Sequence, residues 1–242
     1  SRDYLRKNIS RTIEQYLLQF TDMTICETHN DYLAAVKNRI AGRDNTVIIP
    51  NGINISLYAN LKKNISLLNE LGLKESNFIV GNISRFDEQK NQKLILQAAY
   101  FLVRKFPGMR FVFVGSGRYA NQMKDLARES KLGEFVIFAG EQQKLADYYS
   151  IFDVFVFPSF WEGMPFVLLE AMASRLPIVC SNIPNLLEVI KPNYSALTIN
   201  PNDMDDLFQK ISVLYQNNEL REKIAQNAMI ESTQYDESEV IP

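Results

Sequence analysis

Four ionisable residues in this chain are placed where they can act on one ligand. Arg85 and Lys90 stand five apart in SRFDEQKN, just after an apolar run. Glu162 and Glu170 stand eight apart in FPSFWEGMPFVLLE, which also carries the only Trp. A guanidinium and an ammonium beside a helix N-terminus suit an anion such as a diphosphate, because free backbone N–H groups add to their charge. A lysine in the first helical turn opposes the macrodipole by roughly a few tenths of a kcal/mol, which a bound anion offsets. Pairing with Asp87 and Glu88 on a solvated loop is the other reading of Arg85 and Lys90, and spacing alone leaves both open. Glu170 is flanked by Val167, Leu168, Leu169, Ala171, Met172 and Ala173, a helix apolar on nearly every face. A buried carboxylate without donors is destabilising by on the order of several kcal/mol, so Glu170 needs partners. Ribose-like hydroxyl groups of a ligand are one source, and a salt bridge to Arg175 or Lys144 is another.

The elements that must position these residues form a repeating pattern. Short runs rich in Val, Ile and Phe occupy 77–84, 109–115, 134–140, 153–159, 176–182 and 195–200. They are apolar on both faces, as buried parallel strands are. Amphipathic segments such as 92–106 and 121–130 lie between them, predicting an α/β fold with a doubly wound, Rossmann-like parallel sheet. In such a sheet ligands bind beyond the carboxyl ends of the strands, which is where Arg85 falls. The second helix start lies at the same edge. The run 153–159 ends at Ser159, a loop follows through Gly163, and Pro165 suits the first helical position. Gly163 permits close approach to the backbone, and the amides of Met164, Phe166 and Val167 can face an anion.

The first fifty residues read differently. A helix from about Tyr4 to Phe20, a strand at 22–26, a helix from about His29 to Ala41 and a strand at 46–50 cannot bury both faces of a sheet. Residues 1–52 are therefore expected to be the last part of another α/β domain, 53–75 a linker, 76–230 the ligand-binding domain, and 231–242 a polar tail ending without a packed element. The chain does not begin with Met, so Ser1 need not be its natural start.

Bulk composition excludes several classes. A formal net charge of -2 offers no generic nucleic-acid surface. One histidine, His29, and two cysteines outside any CxxC pattern, Cys26 and Cys180, argue against a zinc site and for a reducing compartment. No apolar run approaches the ~20 residues that span a bilayer, and no signal peptide is visible, so a cytoplasmic protein is expected. The Asn-x-Ser sequons at Asn8, Asn54, Asn64, Asn82 and Asn193 are accordingly read as unglycosylated. GSGRYA at 115–120 fits the dinucleotide fingerprint, with Glu141 downstream. However, it follows the second strand of the domain rather than the first and leaves the four charged residues without a role. Trp161 and Phe160 suit a pocket rim or ordinary aromatic packing.

These residues carry a resemblance. NISRFDEQKNQKLILQAA, RFVFVGSG, FVIFAG and DVFVFPSFWEGMPFVLLEAMASRLPIVCSNIPNLLEVI together resemble the C-terminal domain of GT-B-fold glycosyltransferases of family 4, and TVIIPNGIN looks like that family's crossover from the N-terminal domain. The resemblance spans roughly residues 20–230. It implies a donor site for a nucleoside-diphosphate sugar, carrying a UDP or GDP moiety, with no tightly bound cofactor and no metal requirement. Arg85 and Lys90 would bind the diphosphate and stabilise the leaving nucleotide, and Glu170 would hold the ribose hydroxyls. Glu162 would contact the transferred sugar, the backbone of Gly163, Met164, Pro165 and Phe166 would contact sugar and phosphate, and Phe138 to Gly140 would lie near the base. Glu162, Arg85 and Lys90 are thus the implied catalytic residues. Transfer would retain anomeric configuration, with the departing diphosphate helping to deprotonate the acceptor. The implied partners are a glycan or lipid-linked acceptor and the missing part of the N-terminal domain, through which peripheral contact with the inner face of a membrane could be made. The 242-residue chain is expected to bind nucleotide-sugar weakly without transferring sugar. The chain departs from the family pattern at Ser84, Pro165, Asn182 and Asn185. A non-catalytic nucleotide-binding module of the same fold and an NAD-dependent oxidoreductase using GSGRYA are the alternatives.

Overall fold

The computed structural model describes residues 2–240, with side chains from Ser10 onward, so the side chain of Asn8 and residues Ser1, Ile241 and Pro242 lie outside the description. The chain divides into two compact units, Ser1–Asn51 and Gly52–Pro242. In the first, helix α1 (Arg2–Leu17) precedes strand β1 (Thr24–Cys26), helix α2 (His29–Lys37) and strand β2 (Thr46–Ile48). The two strands pair in parallel. Thr28 caps α2 by accepting the Asp31 amide at 3.0 Å. Among the described residues of this unit the buried apolar ones are Cys26, Ala35 and Ala41, while Ile13, Tyr16, Phe20, Met23 and Ile25 are exposed.

The second unit opens with helix α3 (Ile65–Glu70) and then alternates strictly. Strand β3 (Phe78–Ile83) leads to α4 (Gln92–Lys105), β4 (Met109–Val114) to α5 (Ala120–Glu129), and β5 (Val136–Gly140) to α6 (Leu145–Tyr149). Strand β6 (Val154–Phe157) leads to α7 (Phe166–Ala173), β7 (Ile178–Ser181) to α8 (Pro184–Val189), and β8 (Leu197–Ile199) to α9 (Met204–Gln216). Helices α10 (Asn218–Ser232) and α11 (Glu237–Val240) close the unit. All six strands are parallel, in the order β5-β4-β3-β6-β7-β8, so the direction of winding reverses between β3 and β6. This is the doubly wound sheet the alternation of apolar runs predicts.

Side chains alternate across the sheet and fill a core on each side. Phe155, Phe157, Ile178 and Cys180 face one core with α3, α6, α7 and α8. Val154, Val156, Val179 and Phe113 face the other with α4, α5 and α9. Burial on both faces is why these strands read as continuous apolar runs. Gly81 in β3 has no side chain because the Phe152 ring lies against it, 2.1 Å from where a Cβ would stand.

The tail differs from its sequence reading. Helix α10 runs on to Ser232, Tyr235 is buried, and Asp236 forms a parallel bridge with Ile53. The Ile53 amide donates to the Tyr235 carbonyl and the Glu237 amide to the Ile53 carbonyl, both at 2.9 Å. A polar composition hid this packing because its bonds are backbone ones, which any residue supplies.

Candidate functional site

The reversal between β3 and β6 opens a crevice at their carboxyl ends, and the two loops that leave those ends carry Arg85, Lys90 and Glu162. Lys90 does not occupy the first turn of α4 as the sequence suggests. It ends a separate 3-10 turn, Glu88–Lys90, which Asp87 caps by accepting the Gln89 amide at 3.1 Å. Asn91 then takes a left-handed conformation (φ 54°), which asparagine tolerates, and α4 starts afresh at Gln92. The lysine is therefore displaced from the helix terminus and turned across the crevice. Its Nζ lies 2.7 and 2.9 Å from the two carboxylate oxygens of Glu162, with the two side chains only 15% and 5% exposed. Neither Asp87 nor Glu88 is its partner. Arg85 does pair with Asp87, at 3.0 Å, but its side chain is 67% exposed and such a pair is weak. Arg118 approaches the same carboxylate at 4.0 Å.

The two loops are stitched together. Phe160 N–H donates to the Gln89 carbonyl at 2.8 Å, and Gln89 Nε2 donates to the Trp161 carbonyl at 2.6 Å. Asn91 Nδ2 donates to the carbonyls of Pro158 (3.1 Å) and Pro201 (2.8 Å). Beneath Arg85 lies a buried polar chain. Asn82 Nδ2 donates to the Val156 carbonyl, Ser84 Oγ to Asn82 Oδ1, and Gln92 Nε2 to both Ser84 Oγ and the Arg85 carbonyl, all at 2.8–2.9 Å. Ser84, a departure from the family pattern, is thus a link that fixes the backbone of Arg85. Sequence reasoning missed this chain, although Gln92 at a core-facing helix position was a visible signal.

Glu170 has neither of the salt-bridge partners considered for it. Arg175 pairs with Glu222 at 3.3 Å, and Lys144 precedes α6. Instead, Tyr58 Oη donates to Glu170 Oε1 at 2.9 Å and Tyr149 Oη to Oε2 at 2.8 Å. The carboxylate's need for donors is therefore met in part within the protein, rather than by ligand hydroxyls alone. Both phenols are raised above their ordinary pKa, by burial first and the Glu170 charge second, so both stay protonated and donating. Neither tyrosine was legible, since nothing in spacing connects positions 112 and 21 residues away from the glutamate.

Pro165 precedes α7 in an extended conformation instead of occupying its first turn, leaving the amides of Phe166 and Val167 without partners inside the helix. Met164 is buried beside this start, and Phe166 and Trp161 are exposed. Phe138 is built into an aromatic stack, 5.4 Å from Phe113 and 5.9 Å from Phe86, while Gly140 ends β5 at φ 72°. The glycines of GSGRYA serve packing. A Cβ at Gly115 would meet the Ser84 carbonyl oxygen at 2.1 Å, and one at Gly117 the Phe86 carbonyl oxygen at 2.3 Å. They let the β4 loop press against the Arg85 loop, where Ser116 accepts the Phe86 amide at 2.8 Å. Burial pushes the Cys180 thiol up to about 12, as befits a small core residue. His29 stacks on Tyr32 at 5.9 Å in the first unit. Among the described residues no cluster of histidine, cysteine or carboxylate side chains is arranged to hold a metal ion, and no helix is long and apolar enough to cross a membrane.

A six-stranded parallel sheet with an ion pair at its switch point defines the class: a doubly wound, Rossmann-like α/β domain. The chain belongs to the glycosyl transferases group 1 family, whose model matches residues 65–230. It is 28% identical over 214 residues to the UDP-Gal:alpha-D-GlcNAc-diphosphoundecaprenol alpha-1,3-galactosyltransferase of Escherichia coli, covering 85% of this chain and 54% of that one. Anabaena HepE, solved with UDP and glucose, superposes with a TM-score of 0.84 at 22% identity, over 98% of this chain and 65% of that one. The C-terminal domain of the group 1 protein LpcC of Francisella tularensis superposes with a TM-score of 0.69 at 22% identity, over 77% of this chain and all of that one (100%). The chain thus spans a little over half the length of the E. coli relative.

Proposed function

We propose that the second unit holds a nucleoside-diphosphate sugar, UDP-linked by likeness to the E. coli relative, at the β3–β6 switch point. The whole protein would transfer that sugar, with retention, to a glycan or lipid-linked acceptor. The observation that carries this reading is the Lys90–Glu162 pair, an ion pair that spans the crevice beside an exposed arginine. A sugar diphosphate is the ligand chemistry that divides such a pair, with phosphate oxygens for Lys90 and Arg85 and sugar hydroxyls for Glu162. The backbone of Gly163, Met164, Pro165 and Phe166 would line sugar and phosphate, Glu170 the ribose, and the Phe138–Gly140 edge the base.

In the transfer step the bond from the anomeric carbon to the diphosphate oxygen breaks. The acceptor oxygen bonds to that carbon on the same face, and its proton passes to the departing phosphate. Arg85 and Lys90 stabilise the charge that develops on the leaving group, the part a divalent ion would otherwise play. The E. coli relative acts, by its name, on a sugar linked to diphosphoundecaprenol. By that likeness we read a cytoplasmic protein meeting its acceptor at the inner face of a membrane, with any membrane contact made outside the described residues.

Calorimetric titration with UDP, GDP, ADP and NAD, with and without EDTA, tests the donor site. We expect nucleoside-diphosphate binding that is indifferent to EDTA and weakened about tenfold or more in R85A, the loss of one charge-assisted contact. Tight NAD binding that survives R85A and E170A would overturn the reading.

A further inference from the structure

We propose that Tyr58 and Tyr149 are positioning residues that aim the Glu170 carboxylate at two vicinal hydroxyls, and thereby set a preference for ribonucleotides over deoxyribonucleotides. This rests on reading Glu170 as the ribose carboxylate and goes beyond it by naming what orients that group. The two phenols arrive from different directions. Tyr58 follows the 3-10 turn Ile55–Leu57 at the start of the unit, and Tyr149 ends α6. One bond falls on each carboxylate oxygen, at 2.9 and 2.8 Å, so both the place and the plane of the group are fixed. A carboxylate oxygen accepts two hydrogen bonds, and one site on each oxygen therefore remains for a ligand.

The choice of phenols is informative. An arginine partner would take both oxygens at once and cancel the charge. Two neutral donors orient the carboxylate and leave it anionic, which makes it the stronger acceptor toward hydroxyl groups. Packing alone does not call for these hydroxyls. Tyr149 is 1% exposed and sits among Phe152 and Phe155, with Tyr58 edge-on at 5.8 Å, where phenylalanine would fill nearly the same volume. The Tyr149 hydroxyl also lies 3.1 Å from the Val167 carbonyl, but it has one proton and the carboxylate is the nearer acceptor.

The test compares UDP with 2′-deoxy-UDP by calorimetry on the wild-type chain, E170Q, Y58F and Y149F, with melting temperatures measured alongside. We expect the wild-type chain to prefer UDP, and E170Q to lose that preference. Each Tyr→Phe variant should lower UDP affinity by about tenfold, the loss of one orienting hydrogen bond, and should weaken 2′-deoxy-UDP, which keeps only one of the two hydroxyls, by less. Y58F, in a half-buried residue, keeps the test sound if Y149F melts early. If E170Q loses discrimination while both Tyr→Phe variants keep it in full, or weaken both nucleotides alike, the proposal is overturned and the ribose reading stands. If the wild-type chain binds neither nucleotide or both alike, the ribose reading fails and the proposal with it.

Discussion

Glu162 and Lys90 neutralise each other in a crevice that we read as needing Lys90 for phosphate. A bound diphosphate must therefore compete with the glutamate for the ammonium. In E162Q the side chain still accepts a hydrogen bond but no longer holds the charge, so UDP should bind about threefold to tenfold tighter, or roughly 0.7–1.4 kcal/mol. The same variant should lose the gain in affinity that a UDP-sugar has over UDP. Calorimetry with both ligands decides it, and weaker UDP binding in E162Q would contradict it. K90A instead strands a carboxylate that is 5% exposed, and should lower stability by about 1–3 kcal/mol in a denaturant melt. The sequence revealed both charges as unusual but not that they meet. They are 72 residues apart, and their contact depends on a 3-10 turn and a left-handed Asn91 that spacing does not encode.

The elements that aim these side chains hold together by close backbone approach. Gly117 lies against Phe86 with no room for a methyl group and with φ at 151°, so G117A combines a clash with a strained conformation. A loss of about 1–3 kcal/mol is expected, read as a lower urea midpoint at constant m-value. Nucleotide affinity should fall as well, because the displaced loop is the one that carries Arg85. An unchanged midpoint would mean that the Arg85 loop yields easily. At this scale the sequence was most legible. Buried parallel strands announce themselves as apolar runs, and each of the six lies within its predicted span, trimmed by at most two residues at either end. The trimmed residues are largely loop formers such as Asn77, Gly115, Pro158 and Asn182, although some still bond to the next strand, as the Ser84 amide does to the Val114 carbonyl at 3.0 Å. Tyr149 shows the opposite case. It reads as one more aromatic in ADYYS, and only the fold reveals that its hydroxyl faces Glu170.

At the scale of the whole molecule, the residues of the proposed donor site all lie within one compact unit, while the chain spans 54% of the E. coli relative. We expect the 242-residue chain to bind a nucleotide sugar without transferring the sugar, because the proposed site accounts for the donor alone. Release of radiolabelled sugar onto a lipid-linked acceptor by this chain alone would contradict that. The parallel bridge between Ile53 and Asp236 has a further consequence. Strand partners lie about 5 Å apart, so the polypeptide enters and leaves this module at a single point. It can be lifted out, relocated as an insert within another scaffold, or given new ends elsewhere by circular permutation, without spanning any gap.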